Sequence, residues 1–229
     1  MQTATYTATR SRLETYFDRT AVEAWKRLTS DAPVGSIRAT VRAGRDAMRA
    51  TLLSWLPAEL HGRALLDAGC GTGALASEAA GRGARVVAID LSPTLVGLAR
   101  ERAGDAAIDW RVGDMLDPAL GTFDHVVAMD SLIHYRAGDV VRALAALAPR
   151  TRHSMLFTFA PRTPALTLMH ATGKLFPRGN RSPAIQPLAE RGLHAAIAAE
   201  PALHGFRIGR THRVAAGFYI SQALELVRR

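Results

Sequence analysis

The sequence predicts an α/β domain with a doubly wound, mostly parallel sheet, and two observations support this prediction. From residue 64 onward, short apolar segments alternate with stretches whose apolar residues recur at the three- and four-residue spacing of a helix. A glycine-rich turn follows the first apolar segment, as expected where a strand leads into a helix. Alternation of this kind is typical of parallel strands joined by helices that cover both faces of the sheet.

The order of the elements follows from the same periodicity. Residues 11–28 and 37–56 show helical spacing on either side of a break at 31–35, so residues 1–60 are expected to form an N-terminal helical arm or cap. Residues 61–229 then form the sheet domain, with helices predicted at 74–81, 93–103, 139–147 and 188–200. Seven strands are predicted, the last of them antiparallel, at 64–67, 85–90, 109–113, 123–130, 155–160, 206–214 and 217–227.

The connection between the fifth and sixth strands is longer than one crossover helix requires. It holds a predicted helix at 165–175 and a loop at 178–187 that is rich in Arg, Pro and Asn. We expect residues 161–187 to form a lid insertion over the carboxyl edge of the sheet, where α/β proteins bind ligands. The alternative is a surface excursion that has no role in binding.

Composition narrows the class of protein. The chain has 229 residues, 48% of them hydrophobic, which suits one domain with a substantial core, and its apolar runs are too short to span a bilayer. The first ten residues lack the features of a secretory signal, so a cytoplasmic location is expected. A single cysteine, Cys70, excludes an internal disulfide and a cysteine cluster for structural zinc, and no metal centre is predicted.

The net charge of +9 reflects 29 Lys and Arg residues against 20 Asp and Glu, and it favours anionic partners in general. Only Lys26 and Lys174 are lysines, and arginine is suited to bidentate contacts with carboxylates or phosphates. The cations are scattered along the chain, and no stripe of aromatic and basic residues is visible. No nucleic-acid partner is therefore predicted.

The strongest motif is the turn Asp67-Ala68-Gly69-Cys70-Gly71-Thr72-Gly73, which ends the first strand and opens a helix. Its glycines allow a tight turn and a close approach of the backbone to a ligand, so the predicted fold is Rossmann-like. Gly69, Gly71 and Ala74 also fit the dinucleotide pattern G-x-G-x-x-A, which leaves NAD as an alternative. Asp67 favours S-adenosylmethionine, because its carboxylate would repel a pyrophosphate and can pair with the ammonium group of methionine.

Acidic residues at the ends of the next two strands extend this cofactor site. Asp90 follows Gly71 at the spacing from which a carboxylate can accept hydrogen bonds from ribose hydroxyls. Asp114 can accept the adenine amine while Met115 packs on the ring, a combination that resembles the third element of class I methyltransferases. The predicted cofactor-binding residues are Asp67, Gly69, Gly71, Gly73, Asp90, Leu91, Gly113, Asp114, Met115 and Asp130.

The loop after the fourth strand, Met129 to Tyr135, lies where a transferred methyl group would face its acceptor. His134 in this loop can accept a proton or orient a ligand. The alternative is a core histidine that hydrogen bonds a loop carbonyl.

Segments outside the cofactor site make the sequence resemble one family, the magnesium-protoporphyrin O-methyltransferases of chlorophyll and bacteriochlorophyll synthesis. The resemblance covers nearly the whole chain, although Ala43 and Asp46 mark a departure of unknown effect. It depends on Tyr16-Phe17-Asp18 with Trp25, Val41-Arg42-Ala43-Gly44-Arg45, Gly173-Lys174-Leu175-Phe176-Pro177 with Arg181-Ser182-Pro183, and Gly217-Phe218-Tyr219-Ile220-Ser221-Gln222.

The resemblance implies transfer of a methyl group from S-adenosylmethionine to a propionate of magnesium protoporphyrin IX, with S-adenosylhomocysteine as the product. It implies that Tyr16 and His134 are catalytic, in orienting roles toward the propionate or the magnesium. The residues that it implies for substrate binding are Phe17, Trp25, Arg42, Arg45, Tyr135, Leu175, Phe176, Arg178 and Arg181. It also implies peripheral association with the photosynthetic membrane and hand-over of substrate from a magnesium chelatase subunit.

Three other functions stay open on the sequence. One is a methyltransferase acting on RNA or another small molecule, which the positive charge supports, and the second is an NAD-dependent oxidoreductase of the same topology. The third is a porphyrin carrier that binds the cofactor without turnover. The identity of the methyl acceptor separates these functions.

Overall fold

The computed structural model describes residues 3–20, 35–104, 106–162 and 184–229. Its helices are α1 (Ala4–Thr15), α2 (Ser36–Trp55), α3 (Ala74–Gly81), α4 (Pro93–Ala103), α5 (Ala137–Leu147) and α6 (Glu190–Ala199). Its strands are β1 (Ala64–Ala68), β2 (Arg85–Asp90), β3 (Ile108–Val112), β4 (Phe123–Ala128), β5 (Thr151–Phe159), β6 (Phe206–Ala216) and β7 (Tyr219–Arg228).

The seven strands form one sheet in the order β3-β2-β1-β4-β5-β7-β6. Strands β1 to β5 are parallel, whereas β7 runs antiparallel to both β5 and β6. The chain reverses its direction of winding between β1 and β4, which leaves a crevice at the carboxyl ends of these strands. The predicted doubly wound, mostly parallel sheet and its antiparallel last strand are confirmed.

Strand β1 shows why helices cover both faces of the sheet. Neighbouring side chains on a strand point to opposite faces, and Leu65 and Leu66 are both fully buried in two different hydrophobic clusters. Met48 and Leu52, one helical turn apart on α2, are fully buried in the same cluster as Leu65. Although α2 belongs to the predicted arm, its apolar face is therefore part of the core of the sheet.

The beginning of the chain differs from the prediction. The first helix starts at Ala4 instead of residue 11, because the Thr3 hydroxyl accepts a hydrogen bond from the N–H of Tyr6 and caps the helix. Only Tyr6 and Leu13 of α1 are buried, so its apolar spacing was too sparse to recognise. A π-helical turn, Tyr16–Thr20, follows α1, and the rest of the predicted helix lies outside the described residues.

The ends of the insertion between β5 and α6 are joined to each other. Pro161 pairs with Leu188 in a parallel bridge, and the N–H of Arg162 donates to the carbonyl of Leu188 over 2.8 Å. The N–H of Gln186 donates to the carbonyl of Ile133, also over 2.8 Å, in the loop that carries His134. The predicted helix at 165–175 and most of the loop at 178–187 lie outside the described residues.

Across the ranges that the structure describes, no helix combines the length and apolar character needed to cross a membrane.

Candidate active site

A cavity of about 320 Å³ opens at the carboxyl edge of the sheet, at the crevice between β1 and β4. Fourteen of the predicted site residues line it: Phe17, Arg42, Arg45, Asp67, Gly69, Gly71, Asp90, Leu91, Gly113, Asp114, Met115, Asp130, His134 and Tyr135. Tyr16 and Gly73 are not among its lining residues. The remaining predicted residues lie outside the described part of the chain: Trp25, Leu175, Phe176, Arg178 and Arg181.

The glycine turn between β1 and α3 depends on backbone angles that favour glycine. Gly69, Gly71 and Gly73 have φ values of 87°, 53° and 80°. A Cβ on Gly69 would overlap that of Ser131, whereas one on Gly71 would meet no atom within 4 Å. Gly73 caps α3, and a Cβ there would overlap the ring of Trp110. Gly73 thus shapes the turn from outside the cavity.

Asp67, the penultimate residue of β1, lines the cavity and is only 2% exposed. Its Oδ2 is buried and has no hydrogen-bond partner among the described residues. Burial and the nearby Asp90 carboxylate raise the pKa of Asp67 to about 7, although a hydrogen bond from the backbone N–H of Ala76 opposes them. A buried carboxylate oxygen of this kind is suited to a cationic donor supplied by a ligand.

Asp90, at the end of β2, fixes the backbone around the turn. Its Oδ2 accepts the N–H of Gly71 over 2.9 Å, and its Oδ1 accepts the N–H of Ser92 over 3.0 Å. Burial raises the pKa of Asp90 above its ordinary value, against the lowering effect of these hydrogen bonds. Because a carboxylate has about four acceptor positions, Asp90 keeps the capacity to accept from ribose hydroxyls.

Asp114 lies one residue beyond Gly113 and is linked to the first helix. Its Oδ1 accepts the hydroxyl of Tyr6 over 2.9 Å, and its Oδ2 accepts Arg10 over 2.8 Å. The ring of Tyr6 stacks on that of Tyr135, with centroids 4.9 Å apart. Sequence reasoning missed Tyr6, because a single aromatic residue in a threonine-rich segment gives no signal that it reaches a residue 108 positions away.

Asp130, after β4, is held in the left-handed region with φ 54°, the only non-glycine residue with positive φ in the described ranges. Its backbone N–H donates to Thr158 Oγ1 over 2.7 Å. Its carboxylate accepts Arg45 over 2.7 Å and the Tyr219 hydroxyl over 3.0 Å. The predicted substrate residue Arg45 and the predicted cofactor residue Asp130 thus form an ion pair across the cavity wall.

His134 ends a short 3-10 turn, Leu132–His134, and is buried at the cavity wall. The Phe17 ring lies edge-on to its imidazole at a centroid distance of 6.1 Å. The Tyr16 ring packs edge-on against Phe17 at 5.2 Å. Tyr16 is therefore one aromatic ring removed from His134.

A positively charged face of α2 completes the cavity. Arg42, Arg45 and Arg49 recur at helical spacing and all line it, together with Asp46. Arg49 forms ion pairs with Asp46 over 2.8 Å and with Glu78. Gly44, one turn before the buried Met48, lets α2 approach β7, because a Cβ there would lie 2.8 Å from the Cβ of Tyr219.

Known proteins are similar to this chain in both sequence and fold. A family model described as the C-terminus of magnesium-protoporphyrin IX methyltransferase matches residues 128–228, and a model of a methyltransferase domain matches residues 65–153. A crystal structure of magnesium protoporphyrin IX methyltransferase from Synechocystis PCC 6803 with bound SAH has a TM-score of 0.84 at 29% identity, covering 96% of this chain and all of that one.

Full-length relatives agree with these matches. The magnesium-protoporphyrin O-methyltransferase of Synechocystis is 30% identical over 219 residues, 93% of this chain and 94% of that protein. That of Rhodobacter capsulatus is 50% identical over 226 residues, 96% of this chain and 97% of that protein. The chain therefore belongs to the magnesium-protoporphyrin O-methyltransferase family.

Proposed function

We propose that this chain transfers a methyl group from S-adenosylmethionine to a propionate carboxylate of magnesium protoporphyrin IX. The products are the monomethyl ester and S-adenosylhomocysteine. The observation that carries this proposal is the buried, unpaired Oδ2 of Asp67 beside the glycine turn. It suits the N–H donors of an α-ammonium group and repels a diphosphate, which argues against an NAD-dependent enzyme. The names of the relatives support the porphyrin as the acceptor.

The described residues fit S-adenosylmethionine along its whole length. Asp67 would accept from the ammonium, Asp90 from the ribose hydroxyls and Asp114 from the adenine amine. Leu91 and Met115 line the same cavity and would pack against the adenosine part. These residues follow successive strands whose carboxyl ends meet at one edge, so a single extended ligand can reach all of them.

The chemistry requires little from the protein beyond positioning. When bound, the cofactor supplies an electrophilic methyl carbon, which bonds to the propionate oxygen as its bond to sulfur breaks and that electron pair stays on sulfur. A propionate has a pKa of about 4 to 5 by analogy with Glu, so it is already ionised at neutral pH. The residues therefore need only align the two partners and exclude water.

We assign the acceptor side of the cavity to residues around His134. His134 and Tyr16 orient the propionate or the magnesium, and Phe17 and Tyr135 contact the flat macrocycle. Arg42 and Arg45 hold carboxylates, especially that of the propionate which is not methylated. The ion pair with Asp130 uses part of the five-donor fork of Arg45 and fixes its position. For Trp25, Leu175, Phe176, Arg178 and Arg181 the same role rests on the family resemblance alone.

We also propose that residues 1–60 act as an arm and residues 161–187 as a lid over the macrocycle. Magnesium protoporphyrin is lipophilic, so its delivery favours transient membrane association and hand-over from a magnesium chelatase subunit. Ile37 and Phe218 support contact with an apolar surface, because each is 55% exposed. These two residues flank the contact between Thr40 and Gly217, where the β6–β7 turn meets the beginning of α2.

A single-turnover assay with radiolabelled S-adenosylmethionine tests the proposed acceptor. Magnesium protoporphyrin is expected to become labelled as an ester, whereas RNA gains no label and metal-free protoporphyrin gains much less. A labelled RNA would instead support a nucleic-acid methyltransferase. If the cofactor binds and no acceptor is labelled, the chain is a carrier and the proposed activity is wrong.

The affinity for S-adenosylhomocysteine is expected to fall with decreasing pH. Below the pKa of about 7, Asp67 is increasingly protonated and cannot pair with the ligand's ammonium, so the Kd rises by up to about tenfold per pH unit. The Kd values measured by calorimetric titration at pH 8 and pH 5.5 should differ by at least about tenfold. An Asp67→Asn variant should bind weakly at both values, with a flatter pH dependence. Equal affinity of the unsubstituted protein at both values would contradict the assignment.

A further inference from the structure

Ser131, in the loop after β4, carries a buried polar atom at the cavity that the described residues leave unpaired. Its Oγ is buried, and it has no hydrogen-bond partner in the described part of the chain. Ser131 lines the same cavity as Asp67, whose Oδ2 has the same property. A buried hydroxyl without a partner costs about 1–3 kcal/mol, so this site is built to be satisfied by a ligand.

The backbone at Asp130 explains why Ser131 faces the glycine turn. The left-handed φ of 54° bends the chain sharply after β4. It directs the Asp130 carboxylate toward Arg45 and Tyr219, on α2 and β7. The next side chain then lies against the turn, because a Cβ on Gly69 would overlap the Cβ of Ser131 and lie 3.1 Å from its Oγ.

We propose that Ser131 binds the amino-acid end of S-adenosylmethionine through its hydroxyl, opposite Asp67. This inference rests on the proposed function, since it concerns the same cofactor. The amino-acid end of the cofactor is a zwitterion, and Asp67 and Ser131 can each bind one of its charged groups. The Asp67 carboxylate can only accept hydrogen bonds and meets the ammonium, while the hydroxyl of Ser131 can donate to the cofactor's carboxylate or accept from its ammonium.

In this assignment, Asp130 and Ser131 have different roles in the loop after β4. The sequence predicts Asp130 as a cofactor-binding residue, and its carboxylate is bonded to Arg45, Tyr219 and Thr158. Asp130 then anchors the bend, and Ser131 contacts the ligand. A hydroxyl at this position also adds no second negative charge beside the cofactor's own carboxylate, as an aspartate would.

Two ligands that differ only at the amino-acid end test the proposal. S-adenosylhomocysteine carries the ammonium and the carboxylate, whereas 5′-methylthioadenosine has the adenosine and the thioether without them. In calorimetry at pH 8, Ser131→Ala should weaken S-adenosylhomocysteine about 10-fold or more and leave 5′-methylthioadenosine within about twofold. Asp90→Asn is the matched control, because loss of a ribose contact should weaken both ligands by similar factors.

Thermal unfolding of the ligand-free protein provides a second readout. Removal of a buried, unpaired hydroxyl should leave the Tm unchanged or raise it, whereas removal of a structural hydrogen bond would lower it. The inference is overturned if Ser131→Ala binds S-adenosylhomocysteine like the unsubstituted protein, or if it weakens both ligands equally. If the unsubstituted protein itself fails to bind S-adenosylhomocysteine, the proposed function fails instead.

Discussion

Substitution of His134 by alanine is expected to lower kcat by about 100-fold or more, while the Kd for S-adenosylhomocysteine changes by less than about threefold. The imidazole is buried at the cavity wall beside Phe17, whereas the adenosine part is assigned to Asp90 and Asp114. Loss of an orienting group affects alignment in the transition state, which reduces kcat more than it reduces ground-state binding. Single-turnover rates and calorimetry on the same preparation separate the two effects.

His153→Ala is a matched control for this substitution. His153 is half exposed, and it lies 3.5 Å from Asp124 near the amino end of β4, at the opposite edge of the sheet from the cavity. It should therefore retain normal kcat and Kd. If the His134→Ala variant keeps full turnover, His134 has no role in the reaction and only packs at the cavity wall.

Tyr16→Phe distinguishes two roles for the second predicted catalytic residue. If the Tyr16 hydroxyl orients the propionate, its removal should lower kcat and leave the affinity for the cofactor unchanged. If Tyr16 only packs on Phe17, the phenylalanine variant should have normal kcat, because it preserves the ring contact at 5.2 Å. The second result would limit the role of Tyr16 to supporting Phe17.

Gly69→Ala is expected to abolish detectable cofactor binding and to lower the free energy of unfolding by about 2–4 kcal/mol. Two costs combine at this position: a φ of 87° that an L side chain rarely adopts, and an overlap of the new Cβ with that of Ser131. The β1–α3 turn and the loop after β4 would have to separate, and both contribute to the cavity. Urea unfolding of the ligand-free protein and titration with S-adenosylhomocysteine measure the two losses.

Gly71→Ala isolates the cost of the backbone angle alone. Gly71 has a positive φ of 53°, yet a Cβ there would meet no atom within 4 Å. The free energy of unfolding of the Gly71→Ala variant should therefore be lower by only about 1–2 kcal/mol. Equal losses in the two variants would mean that the contact with Ser131 contributes nothing to the effect.

The sheet was predictable because its signals are local. β1 and β2 are largely apolar segments with Asp67 and Asp90 at or next to their carboxyl ends, and the glycine turn lies between β1 and its helix. Since parallel strands bring their carboxyl ends to one edge, the acidic residues of the cofactor site could be grouped without any coordinates. α3 and α4 were predicted with their observed bounds for a similar reason, because a glycine and a serine cap them.

Pairings between distant side chains were not predictable. Tyr6 reaches Asp114, and Arg45 reaches Asp130, only because helices α1 and α2 pack beside the carboxyl edge of the sheet. Neither partner lies in a periodic pattern that specifies the other. The left-handed backbone of Asp130 is also set by tertiary hydrogen bonds to Thr158, Tyr219 and Arg45. For that reason the sequence, which predicts Asp130 as a cofactor residue, gave no sign of its bonds to Arg45 and Tyr219.

The joined ends of the β5–α6 insertion have a consequence for the proposed lid, because they fix where it leaves and rejoins the sheet domain. The pairing of Pro161 with Leu188 brings the two ends of the insertion together and offsets the entropic cost of closing the loop between them. It also fixes the spacing between strand β5 and helix α6. The hydrogen bond from the N–H of Gln186 to the carbonyl of Ile133 attaches this end of the insertion next to His134. In the proposed lid role, exchange of this one segment would change the acceptor while the residues of the glycine turn keep their places.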